Sequence, residues 1–427
     1  MVSVCFYFQV HQPFRLRQFS VFDIGHNQNY FDDEKNAQIC RKVANKCYLP
    51  ANRLMLDLIK RTNGKFRVSY SVSGVALEQF EKYCPEVLDT FRDLYKTGAV
   101  EFIAETYYHS LSYIYSKKEF VEQVQKHEAM LKRLIGAPKP TTFRNTELIF
   151  NNELAKFVED MGYTAILAEG ADHVMGWRSP NFVHRPATCQ KIALLLKNYR
   201  LSDDVAFRFS NKGWTEWPLT VEKYTSWLNA YNGNGETINL FMDYETFGEH
   251  QWEDTGIFKF LEALPFEHLK HPHNDFLTPS EVAKKYPVRG ELDVHNMISW
   301  ADLERDLSAW LGNKMQTSSI SELYAVEERV KASKDPISIE AWHKLTTSDH
   351  FYYMCTKWFS DGDVHKYFNP YDSPYDSFIA FMNVLNDIII RTDPEKKKLA
   401  AAIAKGTAST TANAPKTGAD VHKKIRK

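Results

Sequence analysis

Short apolar segments alternate with longer amphipathic segments through the first 250 residues of the chain. Several apolar segments have almost no polar residue, as is typical of strands buried on both faces of a parallel sheet. The segments between them have helical periodicity, and Pro85 is a favourable first residue for one such helix. This alternation predicts seven β/α units with parallel strands. The predicted strands cover residues 2–10, 66–72, 100–104, 141–144, 164–168, 192–199 and 238–242.

Polar residues follow nearly every predicted strand. In a β/α barrel the carboxyl ends of all strands meet at one face, whereas an open sheet gathers its site at one switch point. Polar residues after so many strands therefore favour a closed barrel, and no glycine-rich phosphate-binding motif is present. They are His11, Ser73, Glu105, Asn145, Glu147, Glu169, Asp203, Asp204, Asp243 and Glu245.

The strand pattern ends near residue 279. We expect residues 1–279 to form the catalytic barrel and residues 280–391 to form a helical domain that completes the site. Helices are predicted over residues 280–285, 303–309, 319–333, 338–346 and 374–391. Residues 392–427 contain almost no large apolar side chain, which predicts a disordered tail.

Charge and cysteine content exclude several classes of protein. The chain has 53 basic and 54 acidic residues, so its net charge of −1 gives no reason to expect nucleic acid or an anionic membrane as a partner. Its first ten residues do not predict an export signal, and it has no apolar run long enough to predict a membrane span. Its six scattered cysteines are typical of reduced core residues, so we expect a soluble cytoplasmic protein. The sequence does not indicate an oligomeric state.

The strongest local feature is the segment FMDYETFGEH, residues 241–250. An apolar strand runs directly into Asp243 and Glu245, which lie two residues apart and so on one face of a strand. Crowded carboxylates raise the pKa of at least one of them, as a general acid requires. A solvated loop is the simpler interpretation, but the interleaved Tyr244 and Phe247 favour a walled pocket.

A second feature is the segment TTFRNTELIFN, residues 141–151, where a predicted strand ends in Arg144, Asn145 and Glu147. One interpretation is a surface ion pair beside a helix cap. The other is that Glu147 is a nucleophile kept ionised by Arg144. One ionised and one protonated carboxyl group are what retaining glycoside hydrolysis requires.

These segments, together with H-Q-P at residues 11–13 and ERDLSAWLGN at 304–313, resemble glycoside hydrolase family 57 over roughly residues 1–391. The resemblance implies an incomplete (β/α)7 barrel followed by a helical domain. It also implies an α-amylase-like enzyme that acts on α-1,4-glucans or maltooligosaccharides with retention of configuration and without a cofactor or a metal ion.

The resemblance further implies roles for single residues. Glu147 matches the nucleophile and Asp243 the general acid/base. The expected substrate-binding residues are His11, Glu78, Arg144, Glu245, Trp300 and Asp349. Arg144 stands where many members have tryptophan, which leaves sugar stacking at that position open, and Trp300 and Trp310 have an ordinary core position as their simpler interpretation. Glu105 and Glu169 also follow strands and are substitutes for the catalytic pair.

Three other functions stay open. The same site could support a 4-α-glucanotransferase or a branching enzyme. The barrel could be a catalytically silent glucan-binding protein. A metal-dependent barrel enzyme, such as an α-mannosidase or a polysaccharide deacetylase, would need a cluster of histidine and aspartate. The possible ligands of such a metal ion are His11, His109, Asp203, Asp204 and His250. These five residues have neither the H-x-D nor the H-x-x-x-H spacing expected of such a site.

Overall fold

The computed structural model describes residues 2–357 and 369–395 of the 427-residue chain. Within these ranges the strands alternate with helices from the first residues to about residue 292. The strands are β1 (Ser3–Val10), β2 (Val68–Val72), β3 (Val100–Phe102), β4 (Thr142–Arg144), β5 (Ala165–Glu169), β6 (His184–Pro186), β7 (Ala193–Lys197), β8 (Thr237–Asp243), β9 (Asp275–Phe276) and β10 (Gly290–Leu292).

Seven of these strands form an incomplete barrel, which confirms the predicted fold class. Parallel ladders join β3–β2–β1–β8 and β4–β5–β7. The two sheets meet where Ala104, just after β3, bridges Phe143 of β4. On the opposite side no strand ladder joins β7 to β8 in the described residues. The two strands are linked there by single hydrogen bonds, such as that from the backbone N–H of Asn198 to the carbonyl of Asn239 at 2.9 Å. The other three strands are short and flank the barrel, with β6 and β10 beside β7 and β9 beside β1.

The faces of β1 show how the sequence places the core. Cys5 and Tyr7 point into the barrel and pack with residues of the opposite strands, such as Leu167 and Leu195. The intervening apolar residues of β1, such as Phe6, point outwards and pack against the helices. Because both faces are apolar, every residue of the strand is buried.

Helices cover the barrel and continue beyond it. Several begin at a Ser or Asn that accepts a backbone N–H, as at Ser73 after β2, Asn151 after β4 and Asn198 after β7. The helices are Asp33–Val43, Leu49–Arg61, Gly74–Tyr83, Pro85–Lys96, Ser112–Tyr115, Lys117–Leu134, Asn152–Asp160, Asp172–Met175, Tyr199–Ala206, Val221–Asn229, Ile257–Leu269, Pro279–Lys285, Ser308–Leu311, Lys314–Ala325, Glu327–Ala332, Pro336–Leu345, Ser348–Tyr352 and Pro374–Thr392. No helix within the described ranges is both long and apolar enough to cross a membrane.

The last helices share an apolar core with the loops at the carboxyl face of the barrel. Leu16 and Tyr30, from the long loop after β1, pack in one cluster with Trp342, Phe351 and Leu385 of the C-terminal helices. Tyr30 also donates its hydroxyl to Asp387 at 2.6 Å. The helices are therefore packed against the face where the site was expected.

Two predicted helices differ from the structure. Residues 303–307 form turns rather than the start of a helix, because Asp302 and Arg305 both have a left-handed backbone, with φ 52°. The segment 319–333 contains parts of two helices that meet at Val326, where φ is −101° and ψ is 3°. The predicted tail lies outside the described residues from position 396 onwards.

Candidate active site

A cavity lies at the carboxyl ends of the barrel strands, beside the C-terminal helices. Its walls include His11 after β1, Glu147 after β4 and Asp243 at the end of β8. Asp349 and Tyr352 reach it from the C-terminal region. Six of the eight catalytic or substrate-binding residues predicted from the sequence line this cavity, and they are His11, Glu147, Asp243, Glu245, Trp300 and Asp349.

The backbone at Glu147 is strained. Glu147 and Leu148 have φ values of 57° and 50°, in the left-handed region that side chains other than glycine rarely adopt. Hydrogen bonds hold the turn, since Leu148 N–H donates to Asn145 at 3.0 Å and Trp300 N–H donates to the carbonyl of Glu147 at 3.2 Å. Strain of this kind costs on the order of 1–3 kcal/mol and is characteristic of functional sites. It turns the Glu147 side chain into the cavity instead of along the barrel wall.

Hydrogen-bond donors surround the Glu147 carboxylate. The Trp300 indole Nε1 donates to Oε2 at 2.7 Å, and the Ser348 hydroxyl donates to Oε1 at 3.1 Å. His109 Nε2 lies 3.3 Å from the same Oε1. Donors to a carboxylate favour its ionised form, so the arrangement is suited to an anionic Glu147 in a nearly closed environment.

His109 lies between two carboxylates. Its Nδ1 is 2.8 Å from Oε2 of Glu105, and its Nε2 faces Glu147. Burial lowers the pKa of His109, but the hydrogen bonds to Glu105 and Glu147 outweigh it and raise the pKa to about 9. Burial raises the pKa of Glu105, but the bond to His109 and nearby positive charges bring it down to about 2. His109 is therefore a cation and Glu105 an anion at neutral pH.

His11 forms the next layer of the wall. Its ring stacks on that of His109, with centroids 4.0 Å apart and an angle of 19° between the planes. Its Nδ1 lies 2.7 Å from the Ser73 hydroxyl, and its Nε2 lies 2.9 Å from Asp349 Oδ2. Burial and the charge of His109 lower the pKa of His11. The neutral His11 ring must carry its proton on Nε2, because an ionised Asp349 carboxylate can only accept a hydrogen bond.

Asp243 and Glu245 occupy the opposite wall. Asp243 pairs in register with Gln9 at the end of β8 and is half-buried, whereas Glu245 follows in a buried turn. Burial raises the pKa of Glu245 to about 8, and the negative charge of Asp243 adds to the rise. Tyr48 donates its hydroxyl to Glu245. The pair therefore combines one buried protonated carboxyl group with a more accessible one.

Arg144 and Glu78 do not line the cavity. The Arg144 guanidinium is fully buried, lies 4.9 Å from the centre of the Trp300 ring, and has no hydrogen-bond acceptor within the described part of the chain. Arg144 therefore forms no ion pair with Glu147, and His109 lies beside Glu147 instead. Glu78 accepts from the Tyr107 hydroxyl at 2.5 Å and lies 3.7 Å from Lys344.

A group of buried charges lies at and behind the remaining wall. Lys197 Nζ lies 3.1 Å from Asp203 and 3.7 Å from Glu169, and Arg305 lies within 4 Å of the same two carboxylates. Arg305 also donates to the carbonyl of Trp300 at 2.6 Å. The left-handed backbone of Arg305 therefore has a structural consequence, because it brings this side chain against the loop that carries Trp300.

The described residues contain no group of three or more His, Cys, Asp or Glu side chains arranged to hold a metal ion. The candidates suggested by the sequence are dispersed. Asp204, for example, pairs with Arg208 at 2.7 Å, while His11 and His109 contact carboxylates that belong to the cavity wall.

Comparison with known proteins identifies the family. The family model described as Glycosyl hydrolase family 57 matches residues 5–295, which is more than half of the chain. The chain belongs to glycosyl hydrolase family 57. The predictions of the family and of a glycoside hydrolase are thereby confirmed.

Relatives of this family 57 enzyme include a protein of Methanocaldococcus jannaschii named "Putative alpha-amylase". It is 45% identical over 400 residues, which cover 90% of this chain and 83% of that protein. The fold is similar to that of a 4-alpha-glucanotransferase from Thermococcus litoralis, with a TM-score of 0.64 and 15% identity over 92% of this chain. The match covers 59% of the glucanotransferase, so this chain spans less than two thirds of that enzyme's length.

A branching enzyme from Pyrococcus horikoshii gives a TM-score of 0.63 at 15% identity, over 90% of this chain and 88% of that enzyme. The alpha-amylase AmyC from Thermotoga maritima gives 0.58 at 12% identity, over 92% and 95%. At these identities the likeness shows a shared fold.

Sequence reasoning missed His109 and Ser348 as neighbours of Glu147. The spacing of Glu105 and His109 after the third strand was the available signal for the first. Ser348 precedes Asp349, which the family resemblance did indicate, but its contact with Glu147 spans 201 positions in the sequence and depends on how the C-terminal helices pack.

Proposed function

We propose that this family 57 enzyme cleaves α-1,4-glucosidic bonds of glucans with retention of configuration. Glu147 is the nucleophile and Asp243 the general acid/base. The observation that carries the proposal is that two carboxylates, from strands β4 and β8, line one cavity at the carboxyl face of the barrel. Two carboxyl groups facing one glycosidic bond are the requirement of this chemistry.

The surroundings of the two groups support these roles. Glu147 is met by three donors and is suited to attack the anomeric carbon as an anion. As the bond from that carbon to the leaving oxygen breaks, Asp243 gives its proton to the oxygen. A covalent β-glucosyl ester on Glu147 results. Asp243 then takes a proton from water or from an acceptor sugar, which attacks the same carbon and restores the α configuration.

The charge of the cavity supports a neutral substrate. Its lining includes three side chains of Arg or Lys and six of Asp or Glu. With His109 as a cation and Glu245 protonated, the cavity has no excess of positive charge that would favour a phosphorylated or carboxylated sugar, whereas the hydroxyl groups of a neutral sugar can donate to its carboxylates. Phe207, which is 41% exposed, lies at the cavity and offers an aromatic face to the C–H side of a sugar ring. The basic members are Arg15, Lys197 and Arg305, and the acidic members are Glu147, Asp203, Asp243, Glu245, Asp302 and Asp349.

His11, Asp349, Glu245 and Trp300 are proposed to contact the sugar at the cleavage point. All four line the cavity, where Trp300 donates to Glu147 and His11 contacts Asp349. Arg144 and Glu78 lie behind the cavity wall, so we propose only an indirect role for them. Arg144 can act on the sugar through Trp300, and Glu78 can act through Tyr107 or Lys344.

The test compares Glu147→Ala and Asp243→Ala on an activated α-glucoside with added azide. Azide should rescue Glu147→Ala with a β-glucosyl azide product, because the small anion replaces the nucleophile. With Asp243→Ala it should give an α-glucosyl azide, because the covalent intermediate still forms. Glu169→Gln is a suitable control, since Glu169 is buried behind Lys197 and does not line the cavity. Near-normal turnover of glucan by either alanine variant would remove that residue from its role.

Hydrolysis and transfer differ in which acceptor reaches the intermediate. Incubation with maltoheptaose distinguishes them, because hydrolysis gives glucose and short maltooligosaccharides, whereas transfer gives products longer than the substrate. A silent glucan-binding protein would bind the same sugar with undiminished affinity after either alanine substitution and would turn nothing over.

A further inference from the structure

We propose that Glu105 and His109 form a buried positioning pair that keeps Glu147 ionised and orients its carboxylate, so that Glu105 acts on Glu147 through His109. Neither residue is assigned a role by the family resemblance. The kinetic part of this proposal rests on Glu147 being the nucleophile. The ionisation of His109 itself does not.

The geometry around His109 is that of an imidazolium bound between two carboxylates. Both ring nitrogens of His109 face carboxylate oxygens, at 2.8 Å to Glu105 and 3.3 Å to Glu147. Ionised carboxylates only accept hydrogen bonds, so both nitrogens must donate, and only the imidazolium can do so. Glu105 is in turn held by Gln9, whose Nε2 donates to its other oxygen at 3.1 Å.

The backbone fixes His109 to the other donor of Glu147. His109 has a left-handed backbone, with φ 53°, and its carbonyl accepts the N–H of Ser348 at 2.9 Å. Ser110 and Thr347 are joined by an antiparallel bridge. The two groups that donate to Oε1 of Glu147 therefore come from segments tied directly to each other, which favours a positioning role over incidental packing.

Other buried histidines of the same molecule show what burial alone does. His268 and His350 are as buried as His109, and burial lowers the pKa of each to about 4. His127 lies behind Glu105 and also has a lowered pKa, because burial outweighs the charge of that carboxylate. His109 differs from them in lying between two carboxylates at hydrogen-bond distance.

The groups that face the pair from neighbouring elements make the arrangement specific. His11, just after β1, stacks on His109, and its lowered pKa keeps the ring neutral. Its Nε2 forms a hydrogen bond with Asp349 and not with either carboxylate that flanks His109. Arg144, on β4, lowers the pKa of Glu105 through its charge.

The first measurement is the titration of His109 by NMR on the full chain with labelled histidine, with the His109 signal assigned by its loss in His109→Gln. We expect His109 to stay protonated through neutral pH and to titrate near pH 9. In Glu105→Gln it should titrate at a lower pH than in the wild type, because only one of the two carboxylates that raise its pKa remains. A wild-type His109 that titrates at or below 6.5 would overturn the proposal, whether or not the protein acts on glucans.

The second measurement is the pH profile of kcat/KM on an activated α-glucoside. Glu147 must be ionised to attack, so loss of the neighbouring cation should move the acid limb of the profile to higher pH. We expect this shift in His109→Gln and a smaller one in Glu105→Gln, with the alkaline limb unchanged. His268→Gln is the matched control, since His268 is equally buried and contacts Asn274 instead. Variants that lose activity evenly at all pH values would show a merely structural role, and a wild type without activity would count against the proposed function instead.

Discussion

Single residues in this site are defined by their partners more than by their type. Glu105, Glu147 and Glu245 are all buried glutamates, yet their surroundings differ. A histidine lowers the pKa of Glu105 to about 2, whereas burial beside Asp243 raises that of Glu245 to about 8. A family resemblance can align such residues, but the order of their pKa values follows from contacts that only the fold creates.

The raised pKa of Glu245 predicts a dependence of stability on pH. Between the unperturbed value of 4.5 and about 8, folded Glu245 holds a proton that the unfolded chain has released. The free energy of unfolding should therefore fall as pH rises through this window, by about 1.4 kcal/mol per pH unit from this group. Glu245→Gln should remove the slope, measured as the urea midpoint at several pH values.

The exposed Glu86→Gln serves as the control for that experiment, because it changes the same charge without burial. A Glu245→Gln variant whose midpoint still falls with pH as in the wild type would show that Glu245 is already ionised in the folded protein.

Strands were predicted better than loops, and the reason is physical. The longer barrel strands, such as Ser3–Val10 and Ala193–Lys197, are largely apolar on both faces, so the sequence locates them directly, whereas the short strands His184–Pro186 and Gly290–Leu292 have no such signal. The helix predicted over residues 303–309 begins only at Ser308, because Asp302 and Arg305 take a left-handed backbone at the cavity wall. His109 was missed as a neighbour of Glu147 because the pairing depends on two loops meeting in space.

The loop after β8 depends on one glycine. Gly248 has φ 109°, and a Cβ there would lie 2.0 Å from the carbonyl oxygen of Lys46. The Lys46 carbonyl belongs to the π-helical segment Ala44–Tyr48 between two α-helices, so the loop itself would have to move. Gly248→Ala should therefore lower the free energy of unfolding by more than the ~1–3 kcal/mol of backbone strain alone. It should also lower kcat/KM, because His250 of this loop lines the cavity.

Gly256→Ala is the control that distinguishes backbone strain from the close contact with Lys46. Gly256 also has a positive φ, of 85°, but a Cβ there meets nothing within 4 Å. We expect it to lose stability through strain and to keep its kcat/KM. Equal losses of activity in the two variants would mean that the close approach to Lys46 does not position the loop.

At the scale of the whole molecule, the barrel and the C-terminal helices share both a core and a site. Ser348 donates to Glu147, Asp349 contacts His11, and Tyr30 of the barrel loop packs among the helices. The division at residue 279 remains a prediction about domains, and β10 shows that chain beyond this point still pairs with the barrel sheet. Removal of the helices should therefore remove the side chains that contact Glu147 and His11 together with apolar packing.

This shared core predicts that the two parts unfold together. Val384 in the last helix is fully buried in that core, and Val384→Ala should cost roughly 2 kcal/mol through lost packing and the cavity that remains. If the parts are coupled, urea should abolish activity, circular dichroism and tryptophan fluorescence at one lowered midpoint. Leu195→Ala destabilises the other part of the molecule, because Leu195 lies inside the barrel. It should also lower the three midpoints together. Trp310 and Trp342 report on the helices because both are buried there, so a fluorescence change that precedes the loss of activity in Val384→Ala would show that the helices unfold alone.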